Sequence, residues 1–218
     1  MRTSVLIPAK GFAYAKQRLA QDISPFDREV LAESMLRHVL EQVGSARGIE
    51  STYVVTASDE VIRLALSRGA RVIREKSERG ETEAVTFAVA EMKRNGVQSV
   101  LILPGDLPLL RAADVEALVH RVPEVTASVP FALLTPSRDR MGTNALLLSP
   151  PDAITPRFGF DSFCHHLSEA AAKRLHITVL ENERIALDVD YLQDLEACRS
   201  SNADHPFAKA PSERSVVP

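Results

Sequence analysis

The chain of 218 residues contains no tryptophan, only two cysteines, and aromatic residues at just 5% of the sequence. The cysteines, Cys164 and Cys198, lie far apart and have no metal-ligand spacing, so the sequence does not indicate a structural zinc site. The aromatic residues form no cluster on which nucleobases could stack. These absences argue against a zinc-stabilised module and against a nucleic-acid-binding surface.

Long apolar runs and a strong charge of one sign are missing as well. The first apolar run, residues 5–7, is too short for a signal peptide, and no later stretch approaches the ~20 apolar residues that span a bilayer. The net charge is −3, so no overall basic field attracts nucleic acid or anionic membranes. We therefore expect a soluble, cytoplasmic protein with reduced thiols and with neither a membrane nor a nucleic acid as partner.

What the sequence does contain is enough apolar material for a core, at 45% hydrophobic residues. Short runs rich in β-branched residues alternate with longer stretches at helical spacing, which predicts an α/β fold with a mostly parallel sheet. The predicted strands are residues 4–7, 53–56, 71–73, 100–103, 126–129, 144–148 and 177–180. The predicted helices are residues 27–43, 58–68, 81–93, 114–122, 160–173 and 191–199.

The pattern predicts one domain over residues 1–199. A polar stretch, residues 135–142, lies between two apolar runs and indicates a small hairpin or flap. Residues 200–218 are polar and aperiodic, and we interpret them as a mobile C-terminal tail.

The loop after the first strand carries three cations, Lys10, Lys16 and Arg18. It follows a strand at the carboxyl edge of the sheet, where open α/β folds bind ligands. Backbone amides beside Gly11 together with these cations could bind a polyphosphate. The loop matches neither a Walker A sequence nor a GxGxxG fingerprint, and a solvated basic loop is the alternative.

A second feature is the turn Pro104-Gly105-Asp106-Leu107-Pro108, which follows an apolar strand. The two prolines restrict the backbone around Asp106 and so determine where its carboxylate points. A hard divalent cation prefers such an oxygen ligand together with a second carboxylate and phosphate oxygens. The alternative is an aspartate that only satisfies the turn.

A pair of acids, Asp188 and Asp190, lies in an apolar stretch just before the last helix. Residues i and i+2 of an extended segment point the same way, so both carboxylates could face one metal ion. Capping of the helix by Asp190 is the alternative, but it explains only one of the two acids.

Small polar residues at Thr143, Gly159 and Ser162 lie near predicted loops or strand ends. Gly159 and Ser162 could open a helix whose N-terminus binds a phosphate or a carboxylate, although ordinary turn and capping roles also suit them. We interpret His165 and His166 as surface or partly packed residues, because adjacent helical positions point about 100° apart and do not easily share one metal.

In this order and spacing, the segments resemble the 2-phospho-L-lactate guanylyltransferase family, including its phosphoenolpyruvate and 3-phospho-D-glycerate relatives. The resemblance covers nearly all of residues 3–199. The residues that carry it are 8–10, 15–20, 104–110, 142–148, 158–159, 162–163, 166–167, 187–190 and 194–195.

The resemblance implies a nucleotide-diphospho-sugar-transferase-like, Rossmann-type fold. It also implies transfer of GMP from GTP to a small phosphorylated carboxylate, with release of pyrophosphate, in coenzyme F(420) biosynthesis. Mg²⁺ is the implied cofactor, and a homodimer is left open. The rivals are a same-fold transferase with another nucleotide or a sugar or molybdopterin acceptor, and a non-catalytic nucleotide-binding module.

The resemblance also assigns roles to individual residues. Lys10, Lys16 and Asp106 are the implied catalytic residues, and the implied metal ligands are Asp106, Asp188 and Asp190, with Asp190 favoured within the pair. The implied acceptor contacts are Thr143, Gly159 and Ser162. The implied nucleotide-binding residues are Lys10, Lys16, Arg18, Thr56, Ser58, Gly80, Thr82 and Gly105.

The chain departs from the family pattern in two places. Where relatives commonly show Gly-Leu-Asn, it has Gly80-Glu81-Thr82, in a region that the resemblance places near the nucleotide. The segment 139–141, which precedes Gly142 and borders the implied acceptor pocket, is short.

Overall fold

A computed structural model of the chain describes residues 3–121 and 130–201. Its strands are β1 (Thr3–Pro8), β2 (Ile49–Thr56), β3 (Arg71–Arg74), β4 (Val100–Ile102), β5 (Phe131–Pro136), β6 (Thr143–Ser149) and β7 (His176–Val179). Its α-helices are α1 (Pro25–Ser45), α2 (Asp59–Ser67), α3 (Glu81–Arg94), α4 (Ala112–Val119), α5 (Ser162–Ala172), α6 (Glu183–Ala186) and α7 (Leu192–Ser201). Two short 3₁₀ helices, Phe12–Tyr14 and Gln17–Leu19, follow β1.

All seven strands belong to one sheet, in the order β3-β2-β1-β4-β6-β5-β7. The pairs β1–β2, β2–β3, β1–β4 and β5–β7 are parallel, whereas β6 runs antiparallel to both β4 and β5. The predicted α/β class with a mostly parallel sheet is therefore confirmed. The crossover helices cover both faces, which is why the central strands are apolar throughout.

Alternating residues of β1 show how the sheet divides the core. Val5 and Ile7 pack into one apolar cluster with residues of α1, α2 and α4. Leu6 points to the opposite face and packs with residues of α3 and α5. This period of two is the geometry of a strand that is buried on both sides.

A hairpin is present, formed by β5 and β6. The sequence predicted its turn and its second strand, but it did not predict a strand at β5. The polar stretch was expected to begin at Thr135, yet Thr135 and Pro136 belong to β5 and are buried. The connecting turn is shorter, residues 137–142, and the two strands lie inside the main sheet. The strand predicted at residues 126–129 lies outside the described residues.

Helix boundaries follow local signals in most places. Ser24 accepts a hydrogen bond from the Asp27 amide at 3.1 Å, and Pro25 follows it at the first helical position. Gly96 ends the third helix with a φ of +81°. Ser58 precedes α2, but its side chain makes no capping bond.

An ion pair between a buried carboxylate, Asp114, and a partly exposed guanidinium, Arg184, holds the C-terminal part of the chain in place. Asp114 is 2% exposed and accepts hydrogen bonds from Arg184 Nε at 2.8 Å and from Asn182 Nδ2 at 2.9 Å. This pair ties α6 to α4. The segment that follows α6, residues 187–191, carries the two acids singled out above.

No helix in residues 3–121 and 130–201 is long and apolar enough to cross a membrane. The segment interpreted as a C-terminal tail lies outside the described residues from residue 202 onward, and α7 extends to Ser201. The division into a domain and a mobile tail stays a prediction.

Asp114→Ala should lower the free energy of unfolding by about 3 kcal/mol, because it leaves Arg184 and Asn182 without their buried acceptor. Denaturant titration followed by circular dichroism measures the change. Asp152→Ala is the matched control, since it removes an ion pair with Lys93 in which both side chains are about half exposed. We expect a loss of less than about 1 kcal/mol there. Equal losses in the two variants would contradict the structural role of Asp114.

Candidate active site

A cleft of about 860 Å³ runs along the edge of the sheet where β1 to β4 end. Because β6 is antiparallel to β4, its first residues reach the same edge. The predicted site residues that line the cleft are Lys10, Lys16, Arg18, Gly80, Gly105, Asp106, Thr143, Gly159, Ser162, Asp188 and Asp190. Residues that are far apart in the chain therefore meet at the edge where parallel α/β sheets bind ligands.

Asp106 is held in place by the apolar residues around it. Leu107 is fully buried below the turn. Gly105 lies so close to α1 that an added Cβ would be 3.0 Å from Leu36 Cδ1. One carboxylate oxygen of Asp106, Oδ2, accepts a hydrogen bond from Lys16, whereas Oδ1 is buried without a partner. The turn thus presents an oxygen that is free to bind a ligand.

Lys16 connects three separate parts of the chain. Its backbone is left-handed, with a φ of +54°, and its side chain is only 6% exposed. The ammonium group donates to Asp106 and to the carbonyl oxygen of Val189 at 2.5 Å. It therefore lies between the β4 turn and the acidic segment before α7.

The acids Asp188 and Asp190 both face the cleft because the residues between and before them face the core. Leu187 and Val189 are buried in a third apolar cluster. Asp188 Oδ1 accepts from Asn144 Nδ2 at 3.0 Å, and Asp190 pairs with Arg18. This is the alternation of an extended segment.

Asp190 does not cap the last helix. The carboxylate of Asp194 accepts from the amides of Asp190 and Tyr191 at 3.0 and 2.8 Å, and α7 begins at Leu192. The carboxylate of Asp190 is therefore available to the cleft.

Sequence reasoning missed a fourth carboxylate, Glu81, at the first position of α3. Burial raises the pKa of Glu81 to about 7, the charge of Asp106 adds to the rise, and Lys10 opposes it. Burial likewise raises the pKa of Asp188 to about 6, again with a contribution from Asp106. Glu81 stands where relatives commonly have the leucine of Gly-Leu-Asn. This departure from the family pattern was the signal that could have identified Glu81.

The donor set suits a hard divalent cation. The charge of Asp106 raises the pKa of both Glu81 and Asp188, so these carboxylates repel one another, and Asp106 lines the cleft with an unpartnered Oδ1. Within the described part of the chain, no three acidic, histidine or cysteine side chains are already arranged to hold a metal ion. Mg²⁺ usually takes only one or two carboxylates and completes its shell with water and substrate phosphate, so this arrangement fits it.

The loop amides expected to bind phosphate already have partners. The Gly11 amide donates to Glu78 Oε1 at 2.7 Å, and the Phe12 amide donates to Glu60 Oε1 at 2.8 Å. The expectation that amides beside Gly11 are free for a polyphosphate is therefore wrong for this structure. Lys10 is exposed in the cleft, so its ammonium group is accessible to a phosphate.

Three predicted nucleotide-binding residues, Thr56, Ser58 and Thr82, are not among the residues that line the cleft. Thr56 is fully buried, its Oγ1 accepts from the Ser58 amide at 3.1 Å, and its carbonyl accepts from the Glu75 amide at 2.9 Å. Thr82 Oγ1 accepts from the Phe158 amide at 2.9 Å. In the structure these residues shape the loops of the cleft.

The end of the cleft at β6 contains Thr143, Ser162 and Gly159. Thr143 is 6% and Ser162 1% exposed, and their hydroxyl oxygens are 3.5 Å apart. Ser162 is the first residue of α5, and Gly159 precedes it with a φ of +103° that favours glycine. Two hydroxyls and a helix N-terminus form a polar pocket suited to an anion.

His166 is fully buried behind this pocket, so its interpretation as a surface or partly packed residue was wrong. Its Nε2 accepts from the Arg157 amide at 2.9 Å, which leaves the ring proton on Nδ1 to be donated to Thr143 Oγ1 at 2.9 Å. Burial lowers the pKa of His166 to about 4, so the imidazole is neutral near pH 7. His166 therefore orients the Thr143 hydroxyl.

Comparison with known proteins identifies the family of the chain. The family described as "Guanylyl transferase CofC like" matches residues 3–199. A phosphoenolpyruvate guanylyltransferase of Sphaerobacter thermophilus is 35% identical over 90% of this chain and 92% of its own length. A 2-phospho-L-lactate guanylyltransferase of Methanothermobacter thermautotrophicus is 35% identical over 89% of this chain and 83% of its own. A 3-phospho-D-glycerate guanylyltransferase of Colwellia psychrerythraea is 35% identical over 90% of each.

Among solved structures, a nucleotide-diphospho-sugar transferase from Desulfovibrio desulfuricans G20 superposes with a TM-score of 0.75 at 16% identity, covering 97% of this chain and 92% of that one. This likeness confirms the nucleotide-diphospho-sugar-transferase-like fold. The family match and the relatives go further, and they show that the chain is a nucleotidyltransferase that belongs to the CofC-like guanylyltransferase family.

Proposed function

We propose that this enzyme transfers GMP from GTP to a small phosphorylated carboxylate and releases pyrophosphate, in the biosynthesis of coenzyme F(420). The observation that carries the proposal is the continuous cleft, in which the Asp106–Lys16 centre lies beside the Thr143–Ser162 pocket. The acceptors named for the three relatives all combine a phosphate with a carboxylate. Because the three relatives are equally identical to this chain, they support phosphorylated carboxylates as the class of acceptor and favour no single compound within it.

The reaction consists of an in-line attack by an acceptor phosphate oxygen on the α-phosphorus of GTP. Two anions must meet, and like unit charges ~4 Å apart repel by about 4 kcal/mol at an effective dielectric constant near 20. Lys10, Lys16 and Arg18 offset part of that repulsion and stabilise the leaving pyrophosphate. The attacking oxygen comes from the acceptor itself, so the protein contributes positioning and charge.

Asp106 and Asp190 would hold Mg²⁺, with Asp188 beside them. The ion would neutralise phosphate charge and orient the oxygens of the triphosphate. The buried, unpartnered Oδ1 of Asp106 supports this assignment. Each acid of the pair has a partner at one oxygen, Asp188 with Asn144 and Asp190 with Arg18. Burial raises the pKa of Asp188, which makes Asp190 the better candidate for the second ligand.

Thr143, Gly159 and Ser162 would bind the acceptor. The Thr143 and Ser162 hydroxyls can donate to its phosphate or carboxylate, and the N-terminus of α5 favours a negative charge there. His166 keeps the Thr143 hydroxyl oriented from behind. A cytoplasmic location and a homodimeric assembly stay predictions.

Pyrophosphate release with GTP and Mg²⁺ tests the proposal, with 2-phospho-L-lactate, phosphoenolpyruvate and 3-phospho-D-glycerate supplied one at a time. We expect release with at least one of them and none without an acceptor. Faster release with CTP than with GTP would favour a different transferase of this fold. Binding of GTP without release in the presence of any acceptor would favour a non-catalytic module.

Asp106→Asn should lower turnover by roughly 100-fold or more, because the amide cannot supply the anionic oxygen that the metal and Lys16 require. The substitution preserves side-chain shape but leaves the buried Lys16 ammonium with a neutral partner, so some stability is lost while the protein stays folded. Pyrophosphate release at saturating GTP and acceptor measures the effect. Asp152→Asn changes an exposed carboxylate far from the cleft and should leave turnover unchanged. Near-wild-type turnover of Asp106→Asn would rule out the metal assignment.

His166→Phe should remove a specific pH dependence of stability. The folded protein holds the His166 imidazole at a pKa of about 4, against an ordinary value of 6.5, so the unfolded chain binds more protons between these values. The stabilisation is therefore complete above pH 6.5 and is lost as the pH falls toward 4. At roughly 1.4 kcal/mol per pKa unit, the contribution amounts to about 3–4 kcal/mol.

Denaturant titrations at pH 7 and pH 4.5 measure this contribution. The stability advantage of the wild type over His166→Phe should shrink at the lower pH. His165→Phe changes the neighbouring, more exposed histidine and should retain most of the pH dependence of the wild type, because burial lowers the pKa of His166 more than the charge of His165 does. A pH-independent difference between wild type and His166→Phe would contradict the neutral, buried imidazole.

A further inference from the structure

The order of the strands places the base of the nucleotide at the β3 end of the cleft. The acceptor pocket begins at β6 and the acidic centre follows β4, so the triphosphate lies over β4 and β1. The base must then extend away from the acceptor, toward β2 and β3. β3 is three strands from β4, roughly 14 Å at the usual spacing of about 4.8 Å, a distance that a ribose and a purine can span.

One buried carboxylate, Glu75, lines this end of the cleft. It follows β3 directly, and its amide donates to the Thr56 carbonyl at 2.9 Å, which fixes its backbone to the neighbouring strand. The residue is 7% exposed, and its Oε1 is buried without a hydrogen-bond partner. A buried acceptor of this kind is costly unless a ligand supplies a donor.

The other two acidic side chains that line this end of the cleft already have different roles. Glu78 accepts from the Gly11 amide and so holds the loop after β1. Glu81 interacts with Lys10, Asp106 and the acidic segment, which places it at the phosphate and metal part of the site. Glu75 is thus the acidic residue here whose buried oxygen lacks a partner.

The surroundings of Glu75 suit a flat base. Phe12, Val55 and Ala84 line the same end of the cleft and supply apolar walls. Burial raises the pKa of Glu75, the positive charge of Arg79 opposes the rise, and the negative charges of Glu78 and Glu83 add to it. Two N–H donors from a ligand would stabilise the ionised carboxylate in this environment.

We infer that Glu75 selects guanine by accepting hydrogen bonds from its N1–H and its 2-amino group. Guanine presents these two donors side by side, so one carboxylate can accept both. Adenine has an acceptor at N1 and would face the carboxylate with a lone pair. This inference rests on the proposed use of GTP and identifies the residue that recognises the base.

Inosine triphosphate is the sharpest probe, because hypoxanthine keeps N1–H and lacks only the 2-amino group. Calorimetric titration of the wild type should show GTP binding roughly 10- to 100-fold more tightly than ITP, as expected for one charge-assisted hydrogen bond. Glu75→Gln should reduce that ratio to below about threefold, with most of the loss in GTP affinity. Binding needs no acceptor, so this measurement is independent of turnover.

Glu83→Gln is the matched control: it removes the same charge from an exposed residue near Glu75 and should keep the GTP-to-ITP ratio of the wild type. Thermal unfolding of each variant reports whether it is folded. A wild type that binds GTP and ITP equally would overturn the inference without any variant, as would a wild-type ratio in folded Glu75→Gln. If this discrimination is observed but no acceptor yields pyrophosphate, the proposed function fails and the role of Glu75 stands.

Discussion

The contact of the Lys16 ammonium with Asp106 and the Val189 carbonyl is the interaction on which the site depends. It joins the loop after β1, the turn after β4 and the segment before α7, three parts of the chain that are far apart in sequence. A buried ammonium needs such partners, since its charge is expensive to remove from water. The lysine therefore acts as a structural link in the protein and as the cation nearest to the carboxylate centre.

The charges of the cleft are balanced in pairs, and this balance explains how four acids can lie so close together. Lys16 pairs with Asp106 and Arg18 pairs with Asp190, while Asp188 accepts from a neutral amide. At Glu81 the positive charge of Lys10 offsets only part of the effect of burial and of the neighbouring carboxylates, so the pKa of Glu81 stays raised. A site of this kind gains most from a ligand that brings metal and phosphate together, because either one alone leaves an excess of one sign.

The sequence predicted the strands and the Asp106 turn well because their signals are local. A run such as Val100 to Ile102 is apolar on both faces, and prolines bracket the turn. The roles of His166 and Glu75 could not be predicted, because they depend on partners far along the chain: Thr143 for His166, and the Thr56 carbonyl for Glu75. Capping by Asp190 was a sound local alternative, but α7 begins at Leu192, one residue later than such a cap requires, and Asp194 accepts from the amides of Asp190 and Tyr191.

The turn between β5 and β6 lines the cleft beside Thr143 and is independent of the buried strands that carry it. Relatives at the same 35% identity carry names with three different acceptors. In this chain the turn at residues 137–142 is closed by its own hydrogen bonds, with Ser137 Oγ accepting from the Gly142 amide at 2.7 Å and donating to Asp139 at 2.6 Å. A turn that is satisfied internally can change in length or sequence without disturbing the buried strands beside it. This end of the cleft can therefore change without disturbing the Lys16–Asp106 centre, which the sheet and the core hold in place.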